Sequence, residues 1–281
     1  MSSRLLLAAL AVGVIVTGCA STTGQSASTP PPTTPLPTTS PSSSPPASAA
    51  PASAGAMRAA IESVAWGDGR NTQGMSKGVP NPQDWYTAAF GPRTSDKVLY
   101  LTYDDGPWPP YTDQVLDLLA ENDAKATFFV TGNQAKQHPN HLQRIIDGGH
   151  AIGDHTMTHA DLVALDRDQI RAELGKVKKI VGPMLGACMR PPYGLIDTLV
   201  ADVSADLNLM PILWTAHAQD WAPGGVSEMV QRLKDGTAPG AVILLHDSAG
   251  KEKTISATRQ MLPWWKSQGY RLETIPACRI R

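Results

Sequence analysis

From position 98 onward, short apolar or β-branched runs alternate with segments whose apolar residues recur at helical spacing. The runs at 98–103, 126–131, 150–154, 187–190, 210–214, 241–246 and 271–275 read as strands. Between them, 112–121, 139–147, 166–181, 196–207, 226–234 and 253–267 read as helices. Thr112 precedes Val115, Leu118 and Leu119, as an N-cap would. Gly148-Gly149 and Gly269 stand where helices should stop. This alternation predicts an α/β fold of repeated βα units on a parallel sheet. Its length suits a barrel of slightly fewer than eight units, and the pattern alone also admits an open doubly wound sheet. In both, ligands bind at the carboxyl ends of the strands.

The chain before this region has a different character. Arg4 is followed by the apolar run 5–16, too short for a membrane span of about 20 residues but of a length for an export signal. Residues 1–18 are therefore expected to be a signal peptide, ending at Val16-Thr17-Gly18-Cys19. Small residues before a cysteine look like a bacterial lipobox, with Cys19 lipidated and the protein held on the outer face of the cell membrane. An ordinary signal with a chance cysteine is the competing reading. Residues 19–56 are almost all Ser, Thr, Pro, Ala and Gly without charge, a composition expected to stay disordered as a semi-extended tether. Residues 57–96, with Trp66, Trp85 and many Gly and Pro, read as an irregular lead-in to a catalytic domain at 97–281.

Charge narrows the function. With 24 Lys+Arg against 25 Asp+Glu, nothing favours a nucleic acid partner. Three cysteines leave Cys188 and Cys278 once Cys19 is set aside. In an exported protein a disulfide and two buried thiols are equally open readings.

The polar clusters fall at the predicted strand ends. Thr102-Tyr103-Asp104-Asp105-Gly106-Pro107 puts two carboxylates after the first strand; one could hold a metal while the other faces a water. His155-Thr156-Met157-Thr158-His159 follows the third strand, with Asp154 before it. If that stretch is helical, its histidines share a face and offer a zinc ion two imidazoles. Arg190-Pro191-Pro192-Tyr193-Gly194 follows the fourth strand; its arginine could grip a carboxylate bidentately, and its turn could aim the Tyr193 N–H into the site. Trp214, His217, Asp220 and Trp221 follow the fifth strand, and Leu244-Leu245-His246-Asp247 ends the sixth. A strand-end histidine oriented by a carboxylate is a general-acid candidate. Each cluster alone has a bland reading as a turn or a satisfied polar residue.

Taken in order, TYDDGP, HTMTH, RPPYG, QDW and LLH resemble the NodB-like polysaccharide deacetylases, carbohydrate esterase family 4. The resemblance implies a distorted (β/α)7 barrel and a divalent metal, usually Zn2+, with Co2+ or another ion able to serve. It implies a hydrolase that removes N-acetyl groups from polysaccharide through water activated by that metal. Carried over by motif position, Asp105, His155 and His159 would be the ligands and Asp104 the general base, oriented by Arg190. His246 would protonate the leaving amine, with Asp220 holding its ring. The Tyr193 N–H would stabilise the oxyanion, and Leu244 and Trp221 would wall a pocket for the acetyl methyl. The family's fourth motif is usually D-x-x-D-W; here His217 takes the first acidic place, which puts local hydrogen bonding or substrate preference in doubt.

A tethered lipoprotein meets the cell wall first, so peptidoglycan, at N-acetylglucosamine or N-acetylmuramic acid, is the expected polysaccharide partner of a monomeric enzyme. Chitin oligomers come next. The alternatives are an O-acetyl esterase on xylan or another glycan, a catalytically inactive glycan-binding module, and a non-haem iron enzyme with the same two-histidine, one-carboxylate triad.

Overall fold

The protein's structure, a computed structural model, describes residues 95–280. The signal at 1–18, Cys19 with the tether at 19–56, and the lead-in apart from Ser95 and Asp96 lie outside the described residues. Among the described residues, eight strands run in chain order: β1 (Val98–Asp104), β2 (Ala126–Val130), β3 (Ala151–Asp154), β4 (Leu185–Met189), β5 (Met210–Pro211), β6 (Ala216–His217), β7 (Ala241–His246) and β8 (Arg271–Leu272). The helices are α1 (Tyr111–Glu121), α2 (Gly132–Gln137), α3 (Pro139–Asp147), α4 (Arg167–Val181), α5 (Thr198–Asp206), α6 (Val226–Asp235) and α7 (Glu252–Ser267). The strand order is β5-β4-β3-β2-β1-β7-β6, every pair parallel, with β8 beside the start of β1. The sheet curls into a half-barrel with helices around it, a distorted (β/α)7 barrel.

Three expectations change. The stretch 271–275 pairs only over Arg271–Leu272, and it pairs with β1 at Val98 and Leu99 instead of closing the barrel against β6. The fifth run, 210–214, pairs over only two residues before the chain bends to form the short β6. Thr112 lies inside α1 and is not its cap: Pro110 holds the cap position, and the threonine hydroxyl turns to the buried Asp247. The remaining caps follow local chemistry. Asp166 and Gln169 form a capping box on α4, Asp197 caps α5, and Pro139 opens α3.

Strand parity separates two cores. Leu99, Leu101 and Tyr103 of β1 and Ala241, Ile243 and Leu245 of β7 pack with residues of α1 and α7, including Leu119 and Trp265. Their alternates Val242 and Leu244 join Phe129, Cys188 and Ile212 in the second cluster, within the curl. Asp104 and His246 belong to this second parity. The register pairs Asp104 with Phe129 on one side and His246 on the other, and Asp154 with Val130 and Met189. Asp104, Asp105, His155, Arg190 and His246 therefore stand at or one residue beyond the last registered pair of their strands. Cys188 and Cys278 are joined, which ties β4 to the closing turn Pro276–Cys278 across a sequence separation of 90.

At the opposite end of β3, buried His150 accepts a hydrogen bond at Nδ1 from the Ala126 N–H and packs edge-on against Phe128. Burial, then the nearby Lys125 charge, pushes its imidazole down to about 4. As pH falls below about 6.5 the unfolded ring takes a proton while the folded ring does not, so stability drops. The loss ends below the folded value and amounts to about 3 kcal/mol. His150→Asn keeps an acceptor near Nδ1 and removes the titration. Its urea midpoint should change less than wild type's between pH 7 and pH 4.5, and equal changes would contradict this account.

Candidate active site

The strand ends place Asp105, His155 and His159 in one cluster, with one potential ligand atom from each within 4.8 Å of the others. Both histidine Nε2 atoms lie 3.4 Å from Asp105 Oδ1. That oxygen is buried and has no hydrogen-bond partner. The histidines do not meet on a helix face. The segment between them is a loop with Thr156 and His159 at φ 66° and 60°, left-handed values that turn both rings to one point. Asp154 supports this turn by accepting the Thr156 N–H at 2.8 Å. Burial raises its carboxyl well above the usual range.

Several features suit this trio to a divalent metal. The Arg190 carbonyl, 2.7 Å from His155 Nδ1, can only accept, so Nδ1 carries the proton and Nε2 keeps its lone pair for a cation. His159 Nδ1 meets the Tyr193 hydroxyl at 3.2 Å; where that hydroxyl accepts, Nδ1 carries the proton and Nε2 keeps its lone pair as well. Burial works against a charge on His155, yet Asp104 and Asp105 outweigh it and raise the pKa, as expected where a cation is wanted. Burial likewise pushes the Asp105 carboxyl up, and His155, His246 and His159 more than reverse it. Two imidazoles and a carboxylate form a donor set that zinc accepts.

Asp104 is buried. Arg190 Nη1 donates to Asp104 Oδ1 and to Thr102 Oγ1, both at 2.7 Å. The expected bidentate grip is absent: Nε and Nη2 go to the carbonyls of Ile212 and Leu213, each at 3.0 Å. The guanidinium also lies over the Phe129 ring at 4.2 Å. All three donor nitrogens are thereby used, fixing one carboxylate oxygen and leaving Asp104 Oδ2 directed toward His155 at 3.8 Å.

On the other side of β1, His246 Nδ1 lies 2.8 Å from Asp220 Oδ1. Asp220 Oδ2 accepts from the His246 N–H at 3.0 Å and Thr254 Oγ1 at 2.8 Å. The adjacent Asp247 plays a different part. Its Oδ2 accepts from Thr112 Oγ1 at 2.5 Å, and the Trp108 N–H donates to that threonine oxygen at 2.6 Å. Burial pushes the Asp247 carboxyl up to about 7, and a Cβ on Gly106 would strike it. The hydrogen bonds of Thr102 and Thr254 and the pairing of Thr112 with Asp247 gave no signal in the sequence, because nothing local says which distant group a threonine hydroxyl will meet.

Burial lowers the His246 pKa, but the Asp220 contact outweighs it and keeps the ring protonated to higher pH. Asp220→Asn should remove that support, lowering kcat/KM about tenfold or more and moving the alkaline limb of its pH profile to lower pH. A profile that scales down without moving would show that Asp220 does not set His246.

The remaining sequence candidates line the rim. Tyr193 is 58% exposed, has φ 61°, and sets its ring edge-on to His159 at 4.7 Å. Gly194 follows at φ 69°, where a Cβ would come within 2.7 Å of Trp214. Trp221 is 50% exposed and stands between His217 at 5.1 Å and His246 at 5.7 Å, ring to ring. Leu244 is buried two residues before His246. His217 Nδ1 is buried without a partner, and the ring is outside the metal trio.

A family model described as polysaccharide deacetylase matches residues 91–212. A chitooligosaccharide deacetylase of Rhizobium leguminosarum bv. trifolii is 34% identical over 201 residues, covering 65% of this chain and 92% of the relative. A peptidoglycan-N-acetylglucosamine deacetylase of Bacillus cereus is 34% identical over 189 residues, covering 64% and 87%. The crystal structure of a peptidoglycan N-acetylglucosamine deacetylase superposes with TM-score 0.63 at 30% identity, covering 66% of this chain and 90% of that one.

Proposed function

Because this chain belongs to the NodB-like polysaccharide deacetylases of carbohydrate esterase family 4, hydrolases acting on amide bonds, we propose that it is a metal-dependent enzyme that removes N-acetyl groups from peptidoglycan. The observation that carries this reading is the placing of Asp104 between two assemblies, the Asp105–His155–His159 trio and the Asp220-supported His246.

Asp105, His155 and His159 would hold the ion, zinc by preference. When bound, it would supply Lewis acidity, polarising the acetamide carbonyl and lowering the pKa of water to about 7. Asp104 takes the proton from the attacking water; Arg190 holds the carboxylate toward that water. The Tyr193 N–H, on its left-handed turn beside His159, donates to the developing oxyanion; losing one such donor typically costs about 2.7–4 kcal/mol. His246, its Nδ1 proton held by Asp220, gives the proton at Nε2 to the departing amine, since an amide anion does not leave. Leu244 and Trp221 flank His246 and would bound the acetyl methyl. A facial-triad iron enzyme would share the metal trio but has no use for the Asp104–Arg190 and His246–Asp220 pairs.

The tethered arrangement supports the wall as target: an export signal at 1–18 with lipidation at Cys19, then an uncharged spacer, would hold the catalytic domain at the outer membrane face. Palmitate labelling that survives Cys19→Ser would remove that support. The test of function is acetate release from purified peptidoglycan and from N-acetylglucosamine oligomers, after chelation and again after zinc is restored. Release only with zinc is expected. No release from either by folded, metal-loaded protein would shift the assignment to O-acetyl esters, which the same groups could attack.

A further inference from the structure

Charge is divided unevenly around the site. A cavity of about 280 Å³ beside Trp108, Asp105 and His159 has neither lysine nor arginine in its lining. The opposite flank, on the His246 side of β1, is different. There the loop 220–225 joins β6 to α6 and carries Trp221, whose half-exposed ring stands between His246 and His217. Three cations converge on this loop. Lys251 Nζ donates to the Asp220 carbonyl at 3.1 Å, and Lys253 Nζ donates to the Gly224 carbonyl at 2.7 Å. The guanidinium of half-buried Arg232 lies near Gly224. Among the described residues none of the three has an ion-pair partner, and the Arg232 guanidinium has no hydrogen bond.

The neighbouring carboxylates are already engaged by other groups. Asp220 takes the His246 ring, the His246 N–H and the Thr254 hydroxyl. Glu228 takes the Gly225 N–H, Glu252 the Tyr111 hydroxyl and Asp247 the Thr112 hydroxyl. The cations are left with backbone carbonyls or nothing, and each ammonium has three donors, of which these contacts use one. His217 stands beside them. Burial, then the Arg232 charge, lowers its pKa, so the ring is neutral at pH 7. Its Nδ1 is buried without a partner. An orphaned buried N–H is rarer than an orphaned acceptor, so the proton sits on Nε2 and adds a donor. A group of cations and donors lacking an acceptor matches a carboxylate.

Resting on the deacetylase reading, we propose that Arg232, Lys251, Lys253 and His217 form a carboxylate-recognising rim that selects acidic glycans over neutral ones. The matching substrate bears a carboxylate close to its acetamide. N-acetylmuramic acid has this chemistry, because its lactyl ether sits on the ring carbon next to the one bearing the acetamide. With the departing nitrogen at His246, that substituent can reach across Trp221 to the rim. The probes are wall glycan strands freed of peptide, their lactyl carboxylates either left free or converted to neutral methyl amides. In the zinc-loaded wild type at low salt, kcat/KM should be about tenfold higher for the acid than for the amide, and the gap should narrow as salt rises. Arg232→Gln should cut the acid-to-amide ratio about fivefold, near the upper end for one exposed ion pair. Arg232→Lys should keep part of the ratio, Arg232→Gln combined with Lys253→Gln should bring it near unity, and His217→Asp, which replaces a donor with a like charge, should also lower it. An active wild type that treats acid and amide alike, or a ratio untouched in the Arg232→Gln/Lys253→Gln variant, would overturn the rim. Acid strands bound more tightly than amide strands in an Arg232-dependent way, without acetate release, would keep the rim and overturn the deacetylase reading.

Discussion

Asp104→Asn is expected to lower kcat by about 10²–10⁴-fold, the range for losing a positioned general base, while the protein stays folded and keeps its metal. The asparagine oxygen can still accept from Arg190 Nη1, now 2.7 Å from the carboxylate, so the buried guanidinium retains a partner. The ligand trio is left whole, because Asp104 is not one of its three members. What would disappear is the basic oxygen proposed to take the proton from the attacking water. Metal content by mass spectrometry and turnover on acetylated oligomers check the two halves separately. Loss of the metal would mean that Asp104 is itself a ligand, and near-normal turnover would mean that the base lies elsewhere.

Arg190→Met should be the most damaging single change to the fold among the site residues. It would leave the buried Asp104 carboxylate without its ion-pair partner, and would strip donors from the Thr102 hydroxyl and the Ile212 and Leu213 carbonyls. Removing one partner of a buried ion pair costs about 3–5 kcal/mol, which for a domain of this size lowers Tm by roughly 10 °C or more. Activity should fall with it, since the carboxylate loses its fixed direction. The double variant Asp104→Leu/Arg190→Met should recover much of the stability and none of the activity, separating the penalty of an unpaired charge from the role of the pair. A single variant melting within about 2 °C of wild type would show that water or a shifted side chain satisfies Asp104, and the buried-pair account would be wrong.

Much of this organisation was legible in the chain. Parallel strands buried on both faces read as apolar runs, and amphipathic helices carry their period in neighbouring residues, so the longer elements were visible locally. Pro139 to Asp147 form α3 as the pattern indicates, and β7 ends at His246 as expected. The short elements were less visible. Helix α2 has six residues and β6 only two, too few for a period to declare itself. The chemistry was legible for a similar reason: Asp104-Asp105, His155 with His159, Arg190 and His246 sit beside the apolar runs that become strand ends, and a parallel sheet brings strand ends to one level.

By itself, then, the sequence determined the α/β class, the strand ends that carry chemistry and the residues able to hold a metal or move a proton. Tertiary structure decided the partnerships. Asp220 orients His246 from 26 residues away, while the adjacent Asp247 turns toward Thr112. Arg190 reaches Asp104 across 86 residues with one nitrogen, its others claimed by two carbonyls. His155 and His159 converge through a left-handed loop, and the cavity beside Trp108 is lined from the ends of β1, β2, β3 and β7. The reason is physical: a local period depends on residues within a turn or two, but a side chain's partner depends on strand register and sheet curl, which exist only once distant segments have paired.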